Sequence, residues 1–235
     1  MLGPTMTELA ATLAALFDAE RAARTAHDEL VDAEPDTLLP LLEKTARAAL
    51  TLDELDEDES SLRLVRVAGV LGEMQGPRVV DLLVDILGCD EPEARHAAGE
   101  ALEGLAFDRF KEVALGVERA LERLPETSPA LSELPYLLAQ VPEPGVTKLL
   151  ARFLAHHSAD AVASAIEALV EIGDPATLPM LEALAGDKRT VQLEDEGGTE
   201  GEATIAELVA EAKTMLADGT SAAVPQRGPQ KGEGA

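Results

Sequence analysis

Aromatic side chains are almost missing from this chain of 235 residues, which has no tryptophan, one tyrosine and four phenylalanines. Sites that recognise bases or sugars by stacking depend on such side chains, so the composition gives them little support. Hydrophobic residues nevertheless make up 46% of the chain, and the core must therefore be aliphatic. Alanine and leucine cost least in helices, so this composition favours an all-α fold.

Basic residues are scarce as well. The chain has 19 lysines and arginines against 45 aspartates and glutamates, which gives a net charge of −26. Nucleic acids and anionic membrane surfaces are bound through lysine and arginine, so neither is an expected partner. A protein with a basic surface is the electrostatically favoured partner, while solubility alone is the competing explanation of the acidity.

Cysteine occurs once, at Cys89, so the chain cannot form an internal disulfide. Because Cys89 follows the end of an apolar helical run, we expect a partly buried structural thiol. The sequence contains no run of 18 apolar residues and does not start with a basic and then apolar leader. We therefore expect neither a membrane span nor a secretory signal, and a cytoplasmic location, with the oligomeric state left open.

A short joint between two apolar helical runs recurs four times, at residues 71–77, 105–111, 138–144 and 169–175. The leucines that begin these joints are spaced by 34, 33 and 31 residues. Such a period is typical of helical hairpins that stack because none can bury its apolar face alone. The sequence therefore predicts an α-α superhelix, or solenoid, of about five to six helical hairpins.

The pattern divides the chain into four predicted regions. Residues 1–52 form an atypical N-terminal helical cap, and residues 60–186 hold the repeats. Residues 187–217 hold an insertion and a C-terminal capping helix. The insertion, at 190–202, could be a short β-hairpin or a mobile loop. Residues 218–235 are rich in glycine and proline and are predicted to be a disordered tail.

The second repeat carries a recognisable pattern, acid–x–Pro–x–x–Arg–x–Ala–Ala–x–x–Ala–Leu. Its matching residues are Asp90, Pro92, Arg95, Ala97, Ala98, Ala101 and Leu102. This pattern resembles the HEAT repeat, particularly the short bacterial variety related to phycocyanobilin-lyase repeats. The resemblance covers about residues 60–186 and implies a HEAT-like solenoid, a fold that serves scaffolds as well as enzymes.

No pattern in the sequence names a reaction. The four histidines, His27, His96, His156 and His157, lack the i, i+4 spacing of a metal site on a helix. Phosphate-binding and nucleophile motifs are absent. We therefore predict a non-enzyme with no catalytic residue, no metal and no cofactor.

The first candidate binding site lies on the second helices of the repeats. In the third repeat, cations recur every four residues on the side opposite the apolar residues Leu149, Leu150, Phe153 and Leu154. Transferring this frame to the preceding repeats extends the row along the predicted concave face. We call the resulting set the charged strip, and it consists of Asp81, Asp85, Arg119, Lys148, Arg152 and His156. It could receive an acidic peptide or a carboxylate, or its cations could merely balance glutamates of the same fold.

The second candidate site is the acidic patch, which consists of Asp53, Glu54, Asp56, Glu57, Asp58 and Glu59. It precedes a helix that is expected to start near Ser60. Negative charge at that position favours the helix N-terminus, and it could also hold a basic partner.

Taken together, these features predict a non-catalytic scaffold or adaptor that binds a protein partner through a curved, strongly acidic surface. The alternative is an immunity or inhibitor protein that mimics nucleic acid and neutralises a basic protein. A bilin-lyase-like enzyme is a further alternative, which the resemblance leaves formally open.

Overall fold

Within the residues that the structure describes, the chain folds as a succession of helices with one pair of short strands near the C-terminal end. The computed structural model describes residues 3, 5–52, 55–194 and 200–217. Strands β1 (Thr190–Glu194) and β2 (Glu200–Thr204) form the pair, and a 3-10 turn covers Pro175–Thr177. The helices are α1 (Met6–Val31), α2 (Pro35–Leu50), α3 (Glu57–Gly72), α4 (Pro77–Leu87), α5 (Pro92–Arg123), α6 (Ala130–Ala139), α7 (Val146–Leu154), α8 (Ala159–Ile172), α9 (Leu178–Glu182) and α10 (Ile205–Ala217). This order confirms the predicted all-α class, and it is consistent with a series of helical hairpins.

The structure divides into two compact units, residues 1–116 and 117–235, with α5 crossing the boundary. The sequence-based division into a cap, repeats and a C-terminal cap follows other boundaries and stays a prediction. The expected disorder of residues 218–235 lies outside the described residues.

The first amides of a helix lack hydrogen-bond partners within the helix. Most helices begin where a side chain accepts a hydrogen bond from one of these amides or where a proline replaces one of them. The Asp56 carboxylate accepts a hydrogen bond of 2.8 Å from the Glu59 amide and begins α3. The Ser158 hydroxyl accepts one of 3.3 Å from the Ala161 amide and begins α8. α2, α4 and α5 begin with a proline, whose missing amide costs nothing at that position.

In the first unit, α2 packs against α3 and α4, and α3 packs against α4. Their facing sides are aliphatic and include Leu42, Leu64 and Leu83, all buried. One polar contact crosses this core: the buried Ser60 hydroxyl donates a 2.6 Å hydrogen bond to the Ala49 carbonyl at the end of α2. α3 and α5 approach each other closely at Gly72, where an added Cβ would lie 3.3 Å from the Ala101 Cβ of α5.

The second joint, where Lys111 stands in place of the proline of the other joints, has its own geometry. α5 continues through the joint with a kink at Arg109, the one residue in it with non-helical angles (φ −141°, ψ 49°). The Arg109 guanidinium donates to the Met74 carbonyl at 2.7 Å, and the Gly76 amide donates to the Glu112 carboxylate at 2.6 Å. These bonds tie the kink to the preceding joint, where Gly76 has a φ of 122° that a side chain would strain.

In the second unit, α8 lies at the centre and packs against α6, α7 and α10. It buries eight of its fourteen residues, most of them alanines and serine, with Val162, Ile166 and Leu169 among them. The predicted burial of Leu149, Leu150, Phe153 and Leu154 on α7 is confirmed.

The C-terminal region settles one open alternative and corrects one boundary. The described part of the insertion forms strands, as β1 and β2 pair antiparallel, from Thr190 opposite Thr204 to Glu194 opposite Glu200. The sequence predicts a single helix over 175–185, but the chain forms the 3-10 turn and then only α9. Pro179, in the first turn of α9, has no amide with which to continue the preceding hydrogen bonds.

Candidate protein-interaction surfaces

The charged strip is divided between the two units. Asp81 and Asp85 lie on α4 in the first unit, where both are partly buried and neither is free of contacts. Arg119, Lys148, Arg152 and His156 lie in the second unit, on the last turns of α5 and on or just after α7.

Within the second unit, the principal cation of the strip is already balanced. The Arg152 guanidinium lies 2.6 Å from the Glu118 carboxylate and 3.4 Å from the Glu122 carboxylate, both on α5. Arg119 is partly buried and is itself engaged, while Lys148 is exposed. These two carboxylates offset the charge of the Arg152 guanidinium. Whether the strip binds a partner stays a prediction.

His156 has a local structural role. Its Nδ1 accepts a 3.1 Å hydrogen bond from the Ser158 amide, in the turn that leads to α8. The ring of His157 is 6.4 Å away and tilted. His156 therefore shapes the connection between α7 and α8.

Arg189 holds the same connection, although the sequence does not predict this role. Its guanidinium donates to the carbonyls of His156 and His157 at 2.8 and 2.9 Å, and it also binds the Asp187 carboxylate. This cation satisfies carbonyls just past the end of α7, a position where positive charge is favoured. The Arg189 guanidinium holds the pKa of Asp187 below its ordinary value. The only local signal in the sequence is an acid two residues before an arginine.

The acidic patch separates into structural and solvent-facing residues. Asp56 caps α3, and the Glu59 carboxylate lies 2.6 Å from the Arg63 guanidinium. Glu57 and Asp58, in the first turn of α3, are exposed and form no ion pair with any residue that the structure describes. Asp53 and Glu54 lie outside the described residues.

A third surface is the apolar face of α1, which none of the predicted sites includes. α1 buries none of its 26 residues, and large apolar side chains, including Leu9, Leu13, Leu16 and Phe17, are about half exposed. The sequence predicts the helix correctly but gives no sign that this face lacks a cover. The same face continues through Ala23 and His27 towards α3.

The later turns of α1 border a cavity of about 370 Å³ between α1, α2 and α3. Its walls are mainly aliphatic, with His27, Thr45 and two arginines at polar positions. Arg63 is held by Glu59, and Arg66 lies close enough to lower the pKa of Glu20, after the larger effect of Arg24. The residues that line the cavity are Ala23, Ala26, His27, Leu30, Leu38, Leu41, Leu42, Thr45, Arg63, Arg66, Val67 and Val70.

The described residues hold few features of reactive chemistry. Among residues 5–52, 55–194 and 200–217, no group of three or more histidine, cysteine, aspartate or glutamate side chains is placed to hold a metal ion. The Cys89 thiol is partly buried, and burial raises its pKa, as suits the expected structural role. Across the same residues, no helix has the length and apolar character needed to cross a membrane.

The structure defines an all-α protein of packed helical hairpins. No protein-family model matches its sequence, and no curated protein is significantly similar to it. Human deoxyhypusine hydroxylase, solved in complex with glycerol, overlaps at 19% identity and a TM-score of 0.31, over 87% of this chain and 98% of that one. An engineered protein from the Northeast Structural Genomics Consortium overlaps at 15% identity and the same TM-score of 0.31, over 83% of this chain and 98% of that one. Overlaps this weak carry no inference about function.

Proposed function

We propose that this protein is a non-catalytic binding module, built from HEAT-like hairpins, that presents an acidic surface to a basic protein. The observation that carries the proposal is the way the fold uses its scarce cations. Arginines in both units are paired with carboxylates of their own unit: Arg78 with Glu43, Arg109 with Glu112, Arg152 with Glu118 and Glu122, and Arg189 with Asp187.

Each such pair cancels one cation and one carboxylate, so pairing leaves the net charge unchanged. With 45 acids and 19 bases in the chain, the carboxylates in excess have no cation of the chain to balance them, and the net charge of −26 remains. A field of one sign attracts partners of the opposite sign and accelerates their association. Because helices hold the surface in place, little ordering is needed on binding.

Glu57 and Asp58 are the part of the acidic patch that this proposal assigns to the partner. Their neighbours Asp56 and Glu59 are committed to a cap and an ion pair, whereas these two carboxylates face solvent at the start of α3. Their removal should therefore change the surface charge with little effect on the packing of the unit.

The test is capture of basic proteins from native cell extract by the immobilised chain, with each captured protein then purified and its affinity measured. The double variant Glu57→Gln/Asp58→Asn should lower that affinity several-fold, and the wild-type affinity should fall as salt rises. The matched control is Asp90→Asn/Glu93→Gln, which removes two exposed charges at the start of α5. A partner that binds equally well to both double variants, with an affinity that does not fall at high salt, would contradict the proposal.

A further inference from the structure

We propose that α1 is a self-association helix, through which two copies of this chain pair antiparallel along residues 6–16. This inference is independent of the acidic surface proposed above. Its basis is a row of side chains, Met6, Leu9, Leu13 and Leu16, spaced by three, four and three residues. Each is between 49% and 83% exposed. The spacing is that of the a and d positions of a coiled-coil seam.

The row is complementary to itself. When two copies run antiparallel about a two-fold axis that crosses the seam at the level of Ala11, Met6 meets Leu16 of the second copy and Leu9 meets Leu13 of the second copy. The axis repeats both contacts, which gives four consecutive layers of large apolar side chains. A surface that matches its own copy in this way forms a closed, two-fold interface. Ala10 and Phe17 flank the seam and widen it with further apolar surface.

Charge also favours a second copy over other occupants. In a chain of net charge −26, Glu8 is the only charged residue from Met6 to Phe17. Its carboxylate accepts hydrogen bonds from the Thr5 amide (2.7 Å) and hydroxyl (2.9 Å), and it lies off the seam. Two copies can therefore approach along this stretch without facing like charges.

The same stretch does not suit a basic protein or a membrane. It offers no row of carboxylates to a basic partner. It also has no lysine or arginine on its polar side, which interfacial helices use to hold anionic lipids. The first cations, Arg21 and Arg24, are paired with Asp18 and Glu20 of the same helix.

The chain itself has no evident cover for the seam in its C-terminal sequence. Residues 218–235 contain Val224 but no leucine, isoleucine, methionine or phenylalanine. That segment cannot supply a second row of large apolar side chains. A second copy of α1 can.

Sedimentation equilibrium across a range of protein concentrations tests the proposal directly. We expect a monomer–dimer equilibrium that tightens as salt rises from about 0.1 M to about 1 M, because the Debye length shrinks from about 10 Å to about 3 Å and the net charges of the two copies are screened. Binding to a basic partner should weaken over the same range. The two proposals can therefore fail separately. A chain that stays monomeric throughout, or a dimer that dissociates with added salt, would overturn self-association through α1.

A matched pair of variants locates the interface. Leu13→Glu places two carboxylates in the centre of the seam, so the dimer Kd should rise on the order of 100-fold or more. Ala11→Glu adds the same charge on the opposite side of α1 and should leave Kd within a few-fold of the parent. Both positions are exposed, and circular dichroism with the thermal midpoint checks that each variant folds. Equal dimerisation by the two variants would rule out this seam.

Cross-linking determines the direction of the helices. In a Cys89→Ser background, Leu9→Cys and Leu13→Cys chains are oxidised separately and as a mixture. The antiparallel register predicts that the mixture yields mainly the cross-linked heterodimer, because position 9 faces position 13 of the other copy. Efficient cross-linking of either chain with itself would overturn the antiparallel register. Vesicles of phosphatidylcholine test the remaining occupant. If the chain were monomeric and sedimented with these vesicles, and Leu13→Glu abolished that binding, the apolar face of α1 would bind lipid and the proposal would be overturned.

Discussion

Helices α1 and α8 show how differently one kind of sequence pattern can be used. α1 has 26 residues and buries none, although it carries leucines and a phenylalanine at helical spacing. α8 has 14 residues and buries eight, four of them alanine. The difference lies in their neighbours, since α8 packs against α6, α7 and α10, whereas α1 makes its main contacts with α3. Burial therefore follows the number of packed faces and not the size of the apolar side chains.

The largest difference in stability is expected when the same substitution, phenylalanine to alanine, is made in each of the two regions. Phe153, on α7 and packed within the unit that α8 organises, is fully buried, whereas Phe17 on α1 is 52% exposed. Phe153→Ala should lower the free energy of unfolding by about 3–5 kcal/mol, because it leaves a cavity. Phe17→Ala should change it by less than about 0.5 kcal/mol in the monomer. Urea unfolding at low protein concentration measures both, and similar losses would contradict the contrast.

A second pair compares arginines. Arg189 bonds to two backbone carbonyls and to Asp187 beside the start of α8, whereas Arg24 pairs with Glu20 on the exposed side of α1. Arg189→Ala should cost about 1.5–3 kcal/mol, since charge-assisted bonds to partly buried groups are lost. Arg24→Ala should cost at most about 0.5 kcal/mol. Thermal or urea unfolding of the two variants checks the difference.

The effect of Arg189 should also depend on pH. Arg189 lowers the folded-state pKa of Asp187, so this carboxylate favours the folded state above its unfolded pKa of about 4. The contribution is lost as the pH falls from about 4 through the lower folded-state value. The stability difference between the parent and Arg189→Ala should therefore shrink between pH 5 and the acid limit of folding. A constant difference would mean that the ion pair with Asp187 contributes little.

A third, smaller pair concerns helix caps. Ser158 caps α8, whose first turn packs into the core, and Thr5 caps α1, whose first turn is exposed. Ser158→Ala should cost about 1 kcal/mol of global stability. Thr5→Ala should leave global unfolding unchanged and only increase hydrogen exchange in the first turns of α1. If Thr5→Ala lowered the unfolding midpoint as much as Ser158→Ala, the first turns of α1 would have to belong to the cooperative unit.

These pairs also show how far the sequence could predict the fold. The ends of α4 and α8 follow from local signals, Pro77 and Gly88 for one and Ser158 and Gly173 for the other. The kink of α5 does not, because it depends on bonds from Arg109 and Glu112 to the preceding joint. Contacts that join residues about 35 positions apart leave no mark on local periodicity.

The candidate sites were predictable to a lesser degree. The helical phase of α7 places Lys148 and Arg152 opposite a buried face, as the spacing predicts. The sequence could not identify Glu118 and Glu122 as the glutamates that hold Arg152, because that pairing depends on how α5 and α7 lie side by side. The exposed face of α1 was missed for the same reason, since an amphipathic pattern predicts a helix but does not supply the partner that covers it.

The smallest effect on stability is expected on the exposed side of α8, where polar contacts replace packing. The Tyr136 hydroxyl on α6 donates to the Glu167 carboxylate on α8, and one turn further along the Gln140 amide donates to Glu171 at 2.7 Å. Partial burial, followed by the bond to Glu167, raises the pKa of Tyr136 to about 12.

Because Tyr136 is the only tyrosine and the chain has no tryptophan, ultraviolet titration reads this group alone. Glu167→Gln should lower the pKa towards the ordinary value of about 10, and Glu171→Gln, the matched control, should leave it in place. Because the folded-state pKa lies above the unfolded one, the contribution of Tyr136 is complete below about pH 10 and is lost as the pH rises towards 12. A tyrosine that titrates near 10 in the parent would mean that α6 and α8 do not hold this contact in solution, and the close packing of α8 would then rest on its buried side chains alone.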